Sequence, residues 1–361
     1  AVVAGASAVG LVLSAWWPSG MGFRGRSSKL QWTARARRLA VIWTVVWILV
    51  SILGLQLVGV INVSLIGFGA TIAGAAGGHA GLAAALAIAV VLPARIAPLT
   101  MDAALAIAAP IEKALSNKWL VAAQKKLRQV RPTVVAITGS YGKTSTKGYI
   151  AHLVGAKYSV VPSPASFNNL MGLARAVNDK LTPGTEVFVA EMGIYGEGEI
   201  RELSTSFPPD IAAITVIGEA HLERMKTRET ILRAKSEIVV NAKTVVLPID
   251  DPDLAALADR CQAEGKRVIR VSATGASADV SVDPTSSTAT IGGETVPVTI
   301  SEVGHAVNIA VAMGIAHALD ISLSVMAPKL SSLPTSAHRA EPQVAPSGAL
   351  IIDDSYNANP L

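Results

Sequence analysis

The sequence has no acidic residue before Asp102. Basic residues do occur in that region, at Arg24, Arg26, Lys29, Arg35, Arg37, Arg38 and Arg95, but from Leu39 to Ala94 there is no Asp, Glu, Lys or Arg at all. An uncharged run of that length is well beyond the ~20 residues that one membrane helix needs. Cysteine is also scarce. The only one, Cys261, excludes an internal disulfide and suits a reducing compartment. Aromatics make up 4% of the chain, and no basic groove interleaves with them. The net charge of +5 is therefore read as charge flanking apolar segments, and nucleic acid is excluded as a partner. No internal repeat is evident, which excludes a solenoid.

The uncharged run sets the expectation for the amino-terminal region. Residues 1–100 read as a transmembrane helical region of about three spans. These are 1–17, closed by Trp16-Trp17; 39–60, with Trp43 and Trp47; and 79–97. The basic loop 18–38 falls inside by the positive-inside rule, and the Gly- and Ala-rich 61–78 becomes an outer loop or re-entrant piece. A cleaved signal peptide at 1–17 and a buried helical domain are the alternatives. Residues 101–130 read as an amphipathic juxtamembrane helix. Its Lys113, Lys118, Lys125, Lys126 and Arg128 suit an anionic leaflet, with membrane lipid as partner, although a solvated helix face accounts for them too. The chain starts at Ala1 and stops just after Asn359-Pro360, so both ends read as cut.

From residue 133 strand-like and helix-like segments alternate. Apolar runs at 133–137, 157–161, 186–191, 211–217, 244–249 and 267–272 read as strands. Helices are expected at 143–154, 169–179, 198–206, 227–241 and 252–264. The pattern is that of an α/β fold, a doubly wound, mostly parallel sheet, preceded by the helical transmembrane region. Residues 278–301 alternate Val, Thr and Ser around a Gly-Gly turn, as a β-hairpin insertion would. Helices at about 305–319 and 322–331 and a strand at 349–353 follow.

The first strand runs into Thr138-Gly-Ser-Tyr-Gly-Lys-Thr-Ser-Thr146. Gly139 and Gly142 allow the backbone to approach an anion, Ser140 and Ser145 line the turn, Lys143 reaches terminal phosphates, and Thr144 offers a hydroxyl to Mg²⁺. The spacing is G-x-x-G-K-T, shorter than the common phosphate-loop spacing. The strand before it and the helix after it favour nucleotide binding over a purely structural turn.

In such sheets ligands gather at the carboxyl ends of the strands. Glu191 ends one strand and His221 lies just past another. A carboxylate and an imidazole there can serve Mg²⁺ ions bridging phosphates, while a capped or solvated loop histidine is the plain alternative for His221. Lys235 falls in mid-helix on the same side, where a lone lysine is usually solvated.

Together these residues resemble the Mur ligase family of ATP-dependent amide-bond-forming enzymes. The phosphate loop, Glu191-Met-Gly193, Gly218-Glu-Ala-His-Leu222, Ala234-Lys-Ser-Glu-Ile238 and the Arg339 segment carry the resemblance. Ile352-Asp-Asp-Ser-Tyr-Asn-Ala-Asn-Pro360, Phe167-Asn168-Asn169 and Gly196-Glu-Gly-Glu-Ile200 look like the branch that adds D-alanyl-D-alanine to UDP-N-acetylmuramoyl-tripeptide.

The resemblance implies a central ATP-binding domain at 131–345 and the start of a carboxy-terminal domain at 346–361. It implies that Lys143 and Thr144 bind ATP phosphates and Mg²⁺, and that Glu191 and His221 serve two Mg²⁺ ions. Lys235 is then the lysine that becomes carbamylated. Asn308 meets the adenine, Arg339 and Asp354 meet ribose or phosphate, and Asn168 and Asn169 face the peptidoglycan-precursor substrate. His305 is one residue closer to Asn308 than the family's usual spacing and receives no role. The family's UDP-holding amino-terminal domain is not visible in this sequence, and the apolar segments occupy its place. The expectation is a multi-pass protein of the bacterial cytoplasmic (inner) membrane, with the ligase domain on the cytoplasmic side. A ligase of the same superfamily acting on a lipid-linked or polymeric acceptor, and a nucleotide-binding scaffold without turnover, remain as alternatives.

Overall fold

The structure is a computed structural model that describes residues 33–69, 78–164, 167–194, 196–219, 222–300, 305–334, 341–344, 347 and 350–353. The expected span at 1–17 lies outside the described residues, as do His221, Arg339 and Asp354. The chain divides into two compact units, Ala1–Asn117 and Lys118–Leu361.

In the first unit the uncharged run folds as helix α1 (Ala34–Gly69) and the beginning of α2 (Gly78–Val130). Helix α1 continues through much of the segment expected to be an outer loop, and α2 joins the expected third span and the juxtamembrane helix without a break. Arg38 clamps Glu112 with both nitrogens, Nε to Oε1 at 2.7 Å and Nη2 to Oε2 at 2.9 Å. The Trp43 indole N–H donates to Thr100 Oγ1 at 3.2 Å.

Among the described residues no helix is long and apolar enough to cross a membrane. The expected spans at 39–60 and 79–97 are therefore not supported, and the expected multi-pass inner-membrane location is corrected on that ground. The physical reason is that absence of charge is not the same as sustained apolarity. Helix α2 carries on from the uncharged run into Asp102, Glu112 and Lys113 without a break, and Arg38 and Trp43 of α1 bond to its Glu112 and Thr100. Of the lysines offered to lipid, Lys126 has another partner, its Nζ donating to the Asn178 carbonyl at 2.7 Å.

The second unit is built on one sheet. Its strands are β1 (Thr133–Thr138), β2 (Val160–Pro162), β3 (Val187–Glu191), β4 (Ile211–Ile214), β5 (Thr244–Pro248), β6 (Arg267–Ser272), β7 (Val280–Asp283), β8 (Thr288–Ile291) and β9 (Glu294–Pro297). They lie in the order β2-β3-β1-β4-β5-β6-β7-β8-β9. Neighbours from β2 to β7 are parallel, and β7-β8-β9 form an antiparallel extension. The expected hairpin is therefore a continuation of the main sheet. Gly292 (φ 59°) and Gly293 (φ 87°) close its two-residue turn, a pair of left-handed residues as a type I′ turn requires.

Helices α3 (Lys143–Val154), α4 (Leu170–Lys180), α5 (Glu199–Ser206), α6 (Leu222–Met225), α7 (Arg228–Ser236), α8 (Pro252–Ala263), α9 (Ala306–Ala318) and α10 (Leu323–Leu330) cover both faces. Strand β1 shows why two cores form. Val135 and Ile137 pack with Tyr149, Ile150 and Leu153 of α3 and with α9. Val134 and Ala136 point the other way, to α4, α5, α7 and α8. Alternation of side chains along a strand covered on both faces produces this division. A separate antiparallel pair, β10 (Glu341–Val344) and β11 (Leu350–Asp353), bridges residue 345, where the sequence suggests a boundary.

Helix α9 is apolar on every side and is buried almost throughout, as such a helix must be. It approaches the sheet closely at Gly314. A Cβ added there would lie 2.7 Å from Val246 Cγ1 and 2.8 Å from Val271 Cγ1. Gly314→Ala should gain up to about 1 kcal/mol of helix propensity and lose about 1–3 kcal/mol to overpacking. A net loss of stability in urea unfolding is the expected result, and an unchanged or raised midpoint would show that α9 can move off the sheet.

Candidate active site

The order of the strands places the site. From β1 the chain runs out to the edge strand β2, comes back to lay β3 beside β1, then crosses to place β4 on the other side of β1. The crevice beyond the carboxyl ends of β1 and β4 is the topological switch point, where such sheets bind ligands. The register Ile137↔Glu191 between β1 and β3 sets Glu191 beside the residues that follow β1.

Those residues form a tight loop. Gly142 is the N-cap of α3 in the left-handed conformation, φ 78°, with no side-chain cap. The first N–H groups of α3 therefore have neither an intrahelical acceptor nor a capping side chain, which makes an anion-binding helix start. Gly139 and Gly142 are required by close approach. A Cβ at Gly139 would meet Thr215 Oγ1 at 1.9 Å, and one at Gly142 would meet Asn308 Oδ1 at 2.1 Å. Ser140 Oγ donates to the Gly218 carbonyl and accepts from Gly218 N, both at 2.9 Å. Thr146 Oγ1 donates to Asn308 Oδ1 at 3.2 Å. Asn308 thus packs against the loop from α9.

Glu191 is buried at the strand end with its carboxylate surrounded by donors. Lys147 Nζ is 2.8 Å from Oε2. Thr144 Oγ1 is 3.1 Å from Oε2 and 3.3 Å from Oε1, and Asn168 Nδ2 is 3.5 Å from Oε1. Burial by itself would raise the Glu191 pKa, but the nearby Lys147 and Lys143 charges and the hydrogen bonds of Lys147 and Thr144 outweigh it, so the carboxyl lies below its ordinary value. Asn169, adjacent to Asn168, instead caps α4, accepting from Gly172 N at 2.8 Å.

Lys143 Nζ folds back over the loop, 2.7 Å from the Gly139 carbonyl and 3.3 Å from that of Ser140. Lys235 Nζ reaches the same Gly139 carbonyl at 3.0 Å from α7. It is 2% exposed, contrary to the solvated lysine that its position in mid-helix suggested. Burial, followed by the Lys143 charge, lowers its pKa to about 7.

The structure thus brings together Gly139, Ser140, Gly142, Lys143, Thr144, Glu191, Lys235, Asn168 and Asn308. Ser145 lies buried in the first turn of α3. Two groups were missed. Lys147 was passed over, although its place one turn after Lys143 was a usable signal. Arg228 ties Ile217 O (2.8 Å), Asp251 (2.7 Å) and Asp253 (3.0 Å) together beside the loop leading toward His221.

For a metal, the Thr144 hydroxyl and Glu191 carboxylate supply converging hard oxygens, the donor type Mg²⁺ takes. Among the described residues no group of three or more His, Cys, Asp and Glu converges as a metal cluster, so a second ion has no visible ligand set there.

The loop, the uncapped helix and the paired lysines at the switch point define an α/β domain built to bind the phosphates of a nucleotide. Residues 137–316 match the family model of the Mur ligase middle domain. Among curated relatives, the UDP-N-acetylmuramoyl-tripeptide–D-alanyl-D-alanine ligase of Mycobacterium leprae is 32% identical over 252 residues, 63% of this chain and 48% of the relative. That of Bacillus subtilis is 34% identical over 247 residues, 66% of this chain and 52% of the relative. The chain therefore spans about half the length of the curated relatives it matches. The structure of MurF ligase from Thermotoga maritima in complex with ADP superposes with a TM-score of 0.60 at 29% identity, covering 68% of this chain and 58% of that one. MurF from Acinetobacter baumannii superposes with a TM-score of 0.61 at 27% identity, covering 68% and 55%.

The lowered Lys235 pKa has a consequence for stability. Below pH 7 both folded and unfolded chains carry the ammonium, and the desolvation penalty is fully present. Between pH 7 and the ordinary value of 10.5 the unfolded chain binds the extra proton, so stability rises with pH, by at most about 1.4 kcal/mol per unit. Unfolding free energies of the wild type and Lys235→Met, measured from pH 6.5 to 9.5, should therefore diverge, with the wild type gaining; parallel profiles would show that Lys235 is not held neutral.

Proposed function

We propose that the protein is an ATP-dependent acid–amino-acid ligase of peptidoglycan precursor synthesis, adding D-alanyl-D-alanine to UDP-N-acetylmuramoyl-tripeptide. The observation that carries this reading is the Glu191 carboxylate held between Thr144 and Lys147 beside a glycine-spaced phosphate loop. The Mycobacterium leprae and Bacillus subtilis relatives, 32% and 34% identical over the matched residues, bear the name of that ligase.

The reaction has two steps. A substrate carboxylate attacks the γ-phosphorus of ATP, the bond to the β,γ-bridging oxygen breaks, and an acyl phosphate and ADP form. The incoming amine then adds to the acyl carbon, loses a proton, and expels inorganic phosphate to leave the amide. Phosphorylation is needed because oxide is too poor a leaving group.

Each residue has a place in this scheme. The N–H groups opening α3 and the Gly139–Gly142 turn cradle the phosphates. Lys143, released from the Gly139 and Ser140 carbonyls, supplies a cation to the transferring phosphoryl group. Mg²⁺ held by Thr144 and Glu191 would neutralise charge on the β- and γ-phosphate oxygens. A second ion at His221 is part of the same reading. On the same reading Asn308, which Thr146 joins to the loop, meets the adenine, and Arg339 and Asp354, outside the described residues, are assigned to ribose or phosphate. Asn168, 3.5 Å from Glu191 Oε1, and Asn169 next to it are assigned to the peptidoglycan-precursor substrate.

Lys235 fits carbamylation by its chemistry. An amine with a pKa of about 7 is substantially neutral at physiological pH and adds to CO₂, releasing one proton and leaving a carbamate. That change converts a cation into an anion suited to metal ions.

The test follows ADP release by the full-length protein with ATP, Mg²⁺, D-alanyl-D-alanine and UDP-N-acetylmuramoyl-tripeptide. Release should require both substrates, and Lys143→Ala should reduce it by at least about 10²-fold, the scale of removing one transition-state charge contact. Lys235→Ala should be inactive and partly rescued by short carboxylates. Release independent of the muramoyl peptide would redirect the reading to another acceptor.

A further inference from the structure

Lys147 is the group that the scheme above leaves without a task. It is 5% exposed, one turn beyond Lys143 on α3, and its Nζ meets Glu191 Oε2 at 2.8 Å with both side chains almost fully buried. A buried carboxylate without a cation is strongly unfavourable, and so is a buried ammonium without an anion. The ammonium is too deep to share the open side of the loop with Lys143. It holds only one of the two carboxylate oxygens. Oε1 has instead the longer contacts to Thr144 (3.3 Å) and Asn168 (3.5 Å).

We propose that Lys147 is a positioning residue for the metal: its ammonium is a built-in stand-in cation that holds the Glu191 carboxylate in place at Oε2, and a divalent cation takes over as the main counter-charge of that carboxylate. The inference rests on the reading of Glu191 and Thr144 as Mg²⁺ ligands. It gives Lys147 two opposed effects. The ammonium keeps the metal-free protein folded with its carboxylate aimed at the loop. It also repels an incoming cation, so that bare metal binds weakly and binding improves when nucleotide phosphates add negative charge. A site built this way favours the metal–nucleotide complex over the metal alone.

The experiment uses the full-length, nucleotide-free protein and two probes, Mn²⁺ binding followed by electron paramagnetic resonance and thermal unfolding in chelator or in saturating Mg²⁺. Wild type should bind bare Mn²⁺ weakly and change its unfolding midpoint little on adding Mg²⁺. Lys147→Met should bind bare Mn²⁺ about tenfold more tightly, the order expected for loss of one nearby like charge. It should also unfold at a lower temperature in chelator and recover at least half of that loss in Mg²⁺. Lys147→Arg, which keeps the charge, should behave as wild type. A midpoint lowered equally with and without Mg²⁺, or a variant that fails to fold even when Mg²⁺ is present throughout, would make Lys147 a structural residue only and overturn the inference. Glu191→Gln separates the two levels of the argument. If it binds Mn²⁺ as wild type does, Glu191 is not a metal ligand and the functional reading fails with the inference. If it loses Mn²⁺ while Lys147→Met shows no metal-dependent gain, the inference alone fails.

Discussion

A carboxylate buried at the end of a β-strand cannot stand alone, and the carboxyl edge of this sheet is arranged around that constraint. Glu191 is 3% exposed, and leaving its charge unpaired would cost several kcal/mol. Lys147 answers it directly, and Thr144 and Asn168 add hydrogen bonds. The β1–β3 register that aligns Glu191 with Ile137 brings it against α3. With α3 fixed there, the loop before it must turn within a few residues. That requirement explains the glycines at 139 and 142, whose missing side chains leave room for Thr215 and Asn308.

The cations gathered around this carboxylate constrain one another. Lys143 and Lys235 converge on a single carbonyl, that of Gly139, and their proximity helps to lower the Lys235 pKa after burial has done most of it. A site with more lysines than carboxylates is poised for anions. On the proposed reading, phosphate groups would supply the negative charge that the protein withholds, as at a phosphoryl-transfer centre. Arg228 extends the same economy of charge, tying two aspartates and a backbone carbonyl at the neighbouring strand ends.

Much of the second unit was legible in the order of residues. The phosphate loop announces itself because glycine spacing and a Lys-Thr pair are local features, and the helix it opens, 143–154, falls where the pattern placed it. Glycines 292 and 293 likewise specify their turn through their own backbone freedom. Other features were misread because sequence counts composition and not surroundings. The uncharged run from Leu39 to Ala94 reads as membrane, yet among the described residues no helix is long and apolar enough to cross one. Lys235 reads as a solvated helical lysine and is buried. Lys147 received no reading from the sequence and proves to be half of a buried ion pair.

What the sequence determined by itself is the set of local pieces: strands with apolar alternation, helices with their starts, and a loop able to bind phosphate. These follow from side-chain periodicity and backbone sterics, which act over a few residues. Tertiary structure decided which pieces share an edge. Lys147 and Glu191 are 44 residues apart, and Lys235 is 96 from the carbonyl it touches. No local preference relates such positions. The order of the strands and the burial that follows from it turn three separate lysines and one glutamate into a single charge cluster, which holds the Glu191 carboxyl below its ordinary pKa and, with burial, lowers that of Lys235.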